Sequence, residues 1–190
     1  MCRHRAACGG RDADACGIVP AVAVQDLRID GLDAAVVASP DDEWWTPRHV
    51  ADAARITLGG VIDLDPASCA EANLVIGAQR IYTADDDGLS RDWAGTVWCN
   101  PPFSGRQIRD WYARVRDHDS PSMILIPATR GGHCMDAVER ADAIVWLYSN
   151  GGWSGPAAAG KTEPWSAPLM AVCWRCEPDP AVWAGVGVIR

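Results

Sequence analysis

Lysine and phenylalanine are nearly missing from this chain: 190 residues contain one of each, Lys161 and Phe103. Apart from Lys161, all of the 17 basic residues are arginine, and 25 acidic residues bring the formal charge to −8. Neutralising phosphates needs a basic surface, so the charge balance argues mildly against a nucleic-acid partner, although it says nothing of local clustering. No apolar run approaches the ~20 residues of a membrane span. The N-terminal arginines are not followed by an apolar core and a cleavage site, so no secretory signal is expected. A cytoplasmic chain is expected, and its eight cysteines are then free thiols rather than disulfides. Cys173-Trp174-Arg175-Cys176 has no second pair at zinc-ribbon spacing, so a structural role outweighs a metal site. Cys2, His4, Cys8 and Cys16 carry an even weaker metal reading, and no metal is expected. Internal repeats are absent too.

What is present suits one folded domain. Residues 1–40 show no clear period and are expected to be a poorly ordered N-terminal extension; residues 41–190 form the domain. Thr46 is a candidate N-cap with Pro47 at the first helical position, for a helix to about Leu58 that ends at Gly59-Gly60. Val61 to Asp65 reads as a first parallel strand, closed by Pro66. Ser68-Cys69-Ala70-Glu71 has capping-box spacing. Arg80 to Thr83 is a short strand, and Asp85-Asp86 a solvated turn as readily as anything else. Arg106 to Arg116 places Ile108, Trp111, Tyr112 and Val115 at helical spacing, with Arg106, Arg109, Arg114 and Arg116 on the other face. Ser122 to Pro127 and Ala143 to Tyr148 are apolar strands, with a helix from Met135 to Ala141 between them. Leu169 to Trp174 is a last strand, and Trp183 to Ile189 a terminal one. Near-continuous apolar strands alternating with helices predict a three-layer α/β sandwich with a mostly parallel sheet. The strands near 61–65, 96–100 and 122–126 are expected side by side in its centre.

The centre of the sequence is Val97-Trp98-Cys99-Asn100-Pro101-Pro102-Phe103. The apolar run is a buried strand; it stops at Asn100, and two prolines prevent further ladder pairing. An amide, two backbone carbonyls and an aromatic ring are thus left at the carboxyl end of a strand, where α/β sheets bind ligands. The Asn100 side-chain oxygen and the Pro101 carbonyl can both accept from a planar exocyclic amine, and Phe103 can stack on the ring that carries it. The bland alternative is a strand-ending turn.

Asn100-Pro101-Pro102-Phe103 resembles motif IV of amino-methyltransferases. Asp42-Glu43-Trp44-Trp45-Thr46-Pro47, Asp63-Leu64-Asp65-Pro66-Ala67-Ser68 and Asp87-Gly88-Leu89-x-x-x-Trp93 precede it. That ordered set, within about 41–174, resembles the phage-type DNA N-6-adenine methyltransferase (Dam) family. The resemblance implies a trimmed Rossmann-like methyltransferase fold that moves a methyl group from S-adenosylmethionine to adenine N6 in double-stranded DNA, inside a bacterial host, from a phage or prophage gene. It assigns catalysis to Asn100, Pro101, Pro102 and Phe103, and the cofactor to Trp45, Thr46, Asp63, Asp65, Pro66 and Asp87. Beside the base pocket, Arg106, Arg109 and Arg130 become candidates for DNA contact. Pro-Ala-Ser stands where many such enzymes have a Gly-x-Gly turn, in keeping with the phage-type family. Two alternatives stay open: an amino-methyltransferase acting on cytosine N4 or a protein glutamine amide, and a non-catalytic phage or host interaction protein.

Overall fold

The computed structural model describes residues 43–103, 107–129, 131–148, 152–155, 157 and 168–190. The expected 1–40 extension lies outside them. The elements in chain order are α1 (Arg48–Thr57), β1 (Leu64–Asp65), α2 (Ala70–Ile76), β2 (Arg80–Ile81), a 3-10 turn (Ala84–Asp86), β3 (Val97–Cys99), α3 (Gln107–Arg116), β4 (Ser122–Pro127), α4 (Gly132–Arg140), β5 (Ala143–Leu147), β6 (Leu169–Trp174) and β7 (Gly187–Ile189).

Among the described residues the strands form one seven-stranded sheet in the order β2-β1-β3-β4-β6-β5-β7. The half from β2 to β4 is parallel, with β1, β3 and β4 adjacent in the interior as expected. The other half is antiparallel: β6 pairs antiparallel with both β4 and β5, and β7 antiparallel with β5. The expectation of a mostly parallel sheet is corrected on this side. Apolar continuity reports burial on both faces, and helices cover both faces whichever way a strand runs. β6 is therefore as apolar as β4 without being parallel to it.

Side chains alternate between two cores, as the pleat requires. Trp98, Met123, Leu125, Ala171, Cys173 and Val145 face α1, Ile76 of α2 and Trp183. Val97, Cys99, Ile124, Ile126, Met170 and Val172 face α3 and α4. α3 buries Ile108, Trp111, Tyr112 and Val115, the four positions its spacing singled out. This is a mixed α/β architecture with helices on both sides of the sheet.

Local signals fared unevenly. Pro47 itself takes the N-cap position of α1 with no side-chain cap, so the Thr46 hydroxyl is not spent on the helix. The N-cap of α2 is Cys69 rather than Ser68: its sulfur accepts from Ala72 N at 3.4 Å. The capping box that does form joins Thr83 and Asp86, which makes Asp86 part of the turn rather than merely solvated. Only Leu64–Asp65 of the 61–65 stretch pairs as strand, and only Gly187–Ile189 of the 183–189 stretch. Trp183 is instead fully buried, and its indole donates to Thr57 Oγ1 at 2.9 Å.

Because Leu125 is wholly enclosed at the centre of the sheet, Leu125→Ala should lower unfolding stability by about 2–5 kcal/mol. Urea denaturation measures this; a loss under about 1 kcal/mol would show that this face is not the packed core.

Candidate active site

The parallel half-sheet sends the ends of β1, β3 and β4 to one rim. β3 stops there for the reason its sequence gives, and Asn100, Pro101, Pro102 and Phe103 follow. Pro101 is buried, and the other three are half-buried.

Asn100 is held in one orientation. Its Nδ2 donates to the Trp44 carbonyl at 2.8 Å and to Thr46 Oγ1 at 3.2 Å. A carbonyl can only accept, so the amide cannot be turned round. The Trp44-Trp45-Thr46 stretch thereby consumes the donor half of the side chain. No described residue donates to Asn100 Oδ1 or to the Pro101 carbonyl. Two acceptors are left on the rim beside the half-buried ring of Phe103.

Trp44 and Thr46 are both buried, and Trp45 N donates to the Ser154 carbonyl at 2.8 Å in an isolated antiparallel bridge. Ala157 N donates to Glu43 O at 3.2 Å. The described part of the glycine-rich stretch after β5 thus closes over the Trp-Trp-Thr entrance. Gly155 permits it, since a Cβ there would run into the Glu43 carbonyl and the Trp45 ring at a φ of +105°. The glycines clustered in this stretch are the sequence signal for so close an approach.

Asp65 ends β1 on the same rim. It is 2 % exposed, accepts from Ala67 N at 3.2 Å and has the Ser68 hydroxyl beside it. Burial pushes its carboxyl up from an ordinary 3.8 to about 7, against those two hydrogen bonds. The neighbouring Cys99 thiol is pushed well up, first by burial and then by the Asp65 charge. Pro66 follows, and its carbonyl lies against Gly88: a Cβ on Gly88 would overlap that oxygen. Asp87 is exposed beside it at a φ of +52°. The Trp44-Trp45-Thr46 stretch is thus held beside Asn100 at the end of β3, while Asp65, Pro66 and, through the Gly88 contact, Asp87 are placed at the end of β1.

Asp63 is not. Its Oδ2 accepts from Thr96 N at 2.7 Å and from Thr96 Oγ1 at 3.1 Å, stapling the entry of β1 to the entry of β3. It lies at the amino end of the strand, away from the rim.

The arginines divide in the same way. Arg109 is exposed and makes no hydrogen bond or ion pair among the described residues. It lies close enough to His133 that, after burial, its charge helps hold that imidazole below its usual pKa. Arg116 is committed to Asp117 at 2.7 Å and Asp136 at 3.4 Å. Arg114 lies over the Trp93 ring at 4.8 Å. Arg106 and Arg130 lie outside the described residues. Among those described, no three His, Cys, Asp or Glu side chains form a metal-holding group, and no helix is long and apolar enough to cross a membrane.

In a mixed α/β protein, two acceptors and an aromatic ring thus stand at the end of an interior strand, with a buried carboxylate at the end of its neighbour. The family model for DNA N-6-adenine-methyltransferase (Dam) matches residues 34–175. The chain belongs to that family, whose name states a DNA-methylating activity. No curated protein and no solved structure matches the chain.

Asp65 makes stability depend on pH. Its folded pKa lies above the unfolded one, so the folded state holds the extra proton between pH 3.8 and about 7. Stability is then highest at the acid end of that window and falls as the pH rises through it, by at most roughly 4 kcal/mol. Asp65→Asn should be more stable than wild type above pH 7 and should lose that advantage towards pH 4. Denaturation of the ligand-free proteins across pH 4–8 tests this, and parallel stability curves would refute the burial of an ionisable Asp65.

Proposed function

We propose that this protein methylates the N6 amine of adenine in double-stranded DNA with S-adenosylmethionine as donor, in the cytoplasm of a bacterial host and from a phage or prophage gene. On this reading the parallel half-sheet is a trimmed Rossmann-like core, and β5, β6 and β7 extend it. The orientation of Asn100 carries the proposal. With Nδ2 occupied by Trp44 and Thr46, the side chain faces the rim as an acceptor, which an NH2 group requires.

The adenine N6 lone pair is conjugated into the ring, which makes the amine a weak nucleophile. Hydrogen bonds from its two protons to Asn100 Oδ1 and the Pro101 carbonyl favour a tetrahedral nitrogen and stabilise the positive charge that develops on it. Pro102 keeps the turn rigid. The donor supplies a methyl group on a sulfonium, and the alignment of the two reactants is worth up to ~7–11 kcal/mol. The residues at the rim fit such a donor. Asp65 retains acceptor capacity beyond Ala67 and Ser68; Pro66 and Asp87 at the end of β1, and Trp45 and Thr46 beside Asn100, are assigned the remaining contacts. A paired base cannot reach this pocket and must leave the helix; Phe103 then replaces the stacking it loses. Arg109 supplies a phosphate contact, and Arg106 and Arg130, nearby in sequence to the pocket, are assigned the same task.

Asn100→Ala should still bind S-adenosylmethionine while single-turnover methylation falls at least ~100-fold, which is about 2.7 kcal/mol of transition-state stabilisation. Wild-type rates in that variant would reduce Asn100-Pro101-Pro102-Phe103 to a strand-ending turn. Phe103→Ala should weaken capture of the base by ~1–3 kcal/mol, and Phe103→Tyr should act like wild type. Expression in a methylation-deficient host, followed by mapping of modified bases, decides the substrate: N4-methylcytosine or unmodified DNA would overturn the adenine assignment. Arg109→Gln should weaken DNA binding on all sequences and reduce its salt slope by about 1; an unaltered slope would place DNA elsewhere.

A further inference from the structure

The loop between the 3-10 turn and β3 carries Asp87, and it is tied to α3 by contacts that the methyl-transfer chemistry does not need. Trp93 Nε1 donates to the Gly88 carbonyl at 2.9 Å. The Trp93 ring stacks on Trp111 of α3, with centroids 6.2 Å apart and an interplanar angle of 20°. Arg114 covers the ring from the same helix, one turn further on, and its guanidinium also donates to the Arg91 carbonyl in the loop. Gly88 is wedged between the Pro66 carbonyl and the edge of Trp111, with no room for a Cβ.

Each contact has a physical reason to be rigid. An indole N–H has one donor and no acceptor, so its bond to the Gly88 carbonyl fixes the Gly88–Leu89 peptide, one residue on from Asp87. A guanidinium on an aromatic face is attracted by the ring's negative face, more strongly when partly desolvated. Asp87 sits at positive φ, where a non-glycine residue persists only if its surroundings hold it. We infer that Trp93 and Arg114 are positioning residues: they hold Asp87 and Gly88 against the end of β1, and so form the cofactor side of the pocket from the helix that follows the catalytic turn. Arg114, on the same sequence-predicted helix face as Arg109, is thereby committed to the loop rather than to DNA. The inference rests on S-adenosylmethionine occupying that side, as proposed above.

The test compares Trp93→Phe, Arg114→Gln and Arg109→Gln. Trp93→Phe keeps the stack and loses only the indole hydrogen bond. The dissociation constant for S-adenosylmethionine, by calorimetry, should rise about tenfold in Trp93→Phe and threefold or more in Arg114→Gln. KM for the cofactor should rise with it, while kcat at saturation stays within about twofold. Arg114→Lys, which keeps the charge over the ring, should recover part of the affinity. The salt slope of DNA binding should be unchanged in Arg114→Gln, whereas Arg109→Gln lowers it. A lower slope in Arg114→Gln would return that arginine to the DNA surface and overturn the inference. So would unchanged cofactor affinity in Trp93→Phe, or equal losses of cofactor and DNA binding that track a lower unfolding midpoint. Wild-type protein that binds no S-adenosylmethionine overturns the functional proposal and this inference with it; wild-type binding matched by Trp93→Phe overturns this inference alone.

Discussion

Asn100 Nδ2 reaches the carbonyl of Trp44, 56 positions earlier in the chain. The rest of the rim depends on that bond. It requires β3 to end where it does, because one more residue of ladder would carry the amide along the sheet and away from the entrance strip. Two prolines enforce that end by removing the amide hydrogens a longer strand would use. Together with the bond to Thr46 Oγ1 it spends the donors of the side chain and leaves its oxygen as an acceptor. Two contacts therefore tie the approach to α1 to the Asn-Pro-Pro-Phe turn and fix the polarity of the group presented.

β1 shows how two identical residue types take different tasks two positions apart. Asp63 meets an amide and a hydroxyl from Thr96 at the entry of the strand. That pairing joins two strands. Asp65 has the Ala67 amide and the neighbouring Ser68 hydroxyl, with apolar surroundings. Its ionised form is disfavoured there by burial, a condition common at functional sites. The chemistry of the pair comes from position along the strand, since the end that opens onto the rim is the end with spare acceptor capacity.

The arginines follow a similar division. Arg55 donates to the carbonyls of Val75 and Ile76, closing the end of α2. Arg175 does the same for Val115 and Arg116 at the end of α3. One forked guanidinium satisfies two orphan carbonyls at once, which a lysine cannot do with the same geometry. A chain with a single lysine thus uses much of its positive charge internally. An acidic protein of a DNA-methylating family is no contradiction, because net charge does not report how charge is clustered.

The sequence alone was enough to determine the helical faces, the buried strands and the place where β3 ends. These are local matters: apolar spacing, strand length and the missing amide hydrogen of proline act over a few residues. The four ordered motifs also carried the family. What the tertiary structure decided was how distant groups spend their hydrogen bonds. The Thr46 hydroxyl went to Asn100 instead of a helix cap, Asp63 to Thr96, and Arg114 to the Trp93 ring. The antiparallel placement of β6 was equally illegible, because burial on both faces makes a strand apolar whichever way it runs. Each of those outcomes is a competition among partners far apart in the chain, and only the folded backbone brings the competitors within reach.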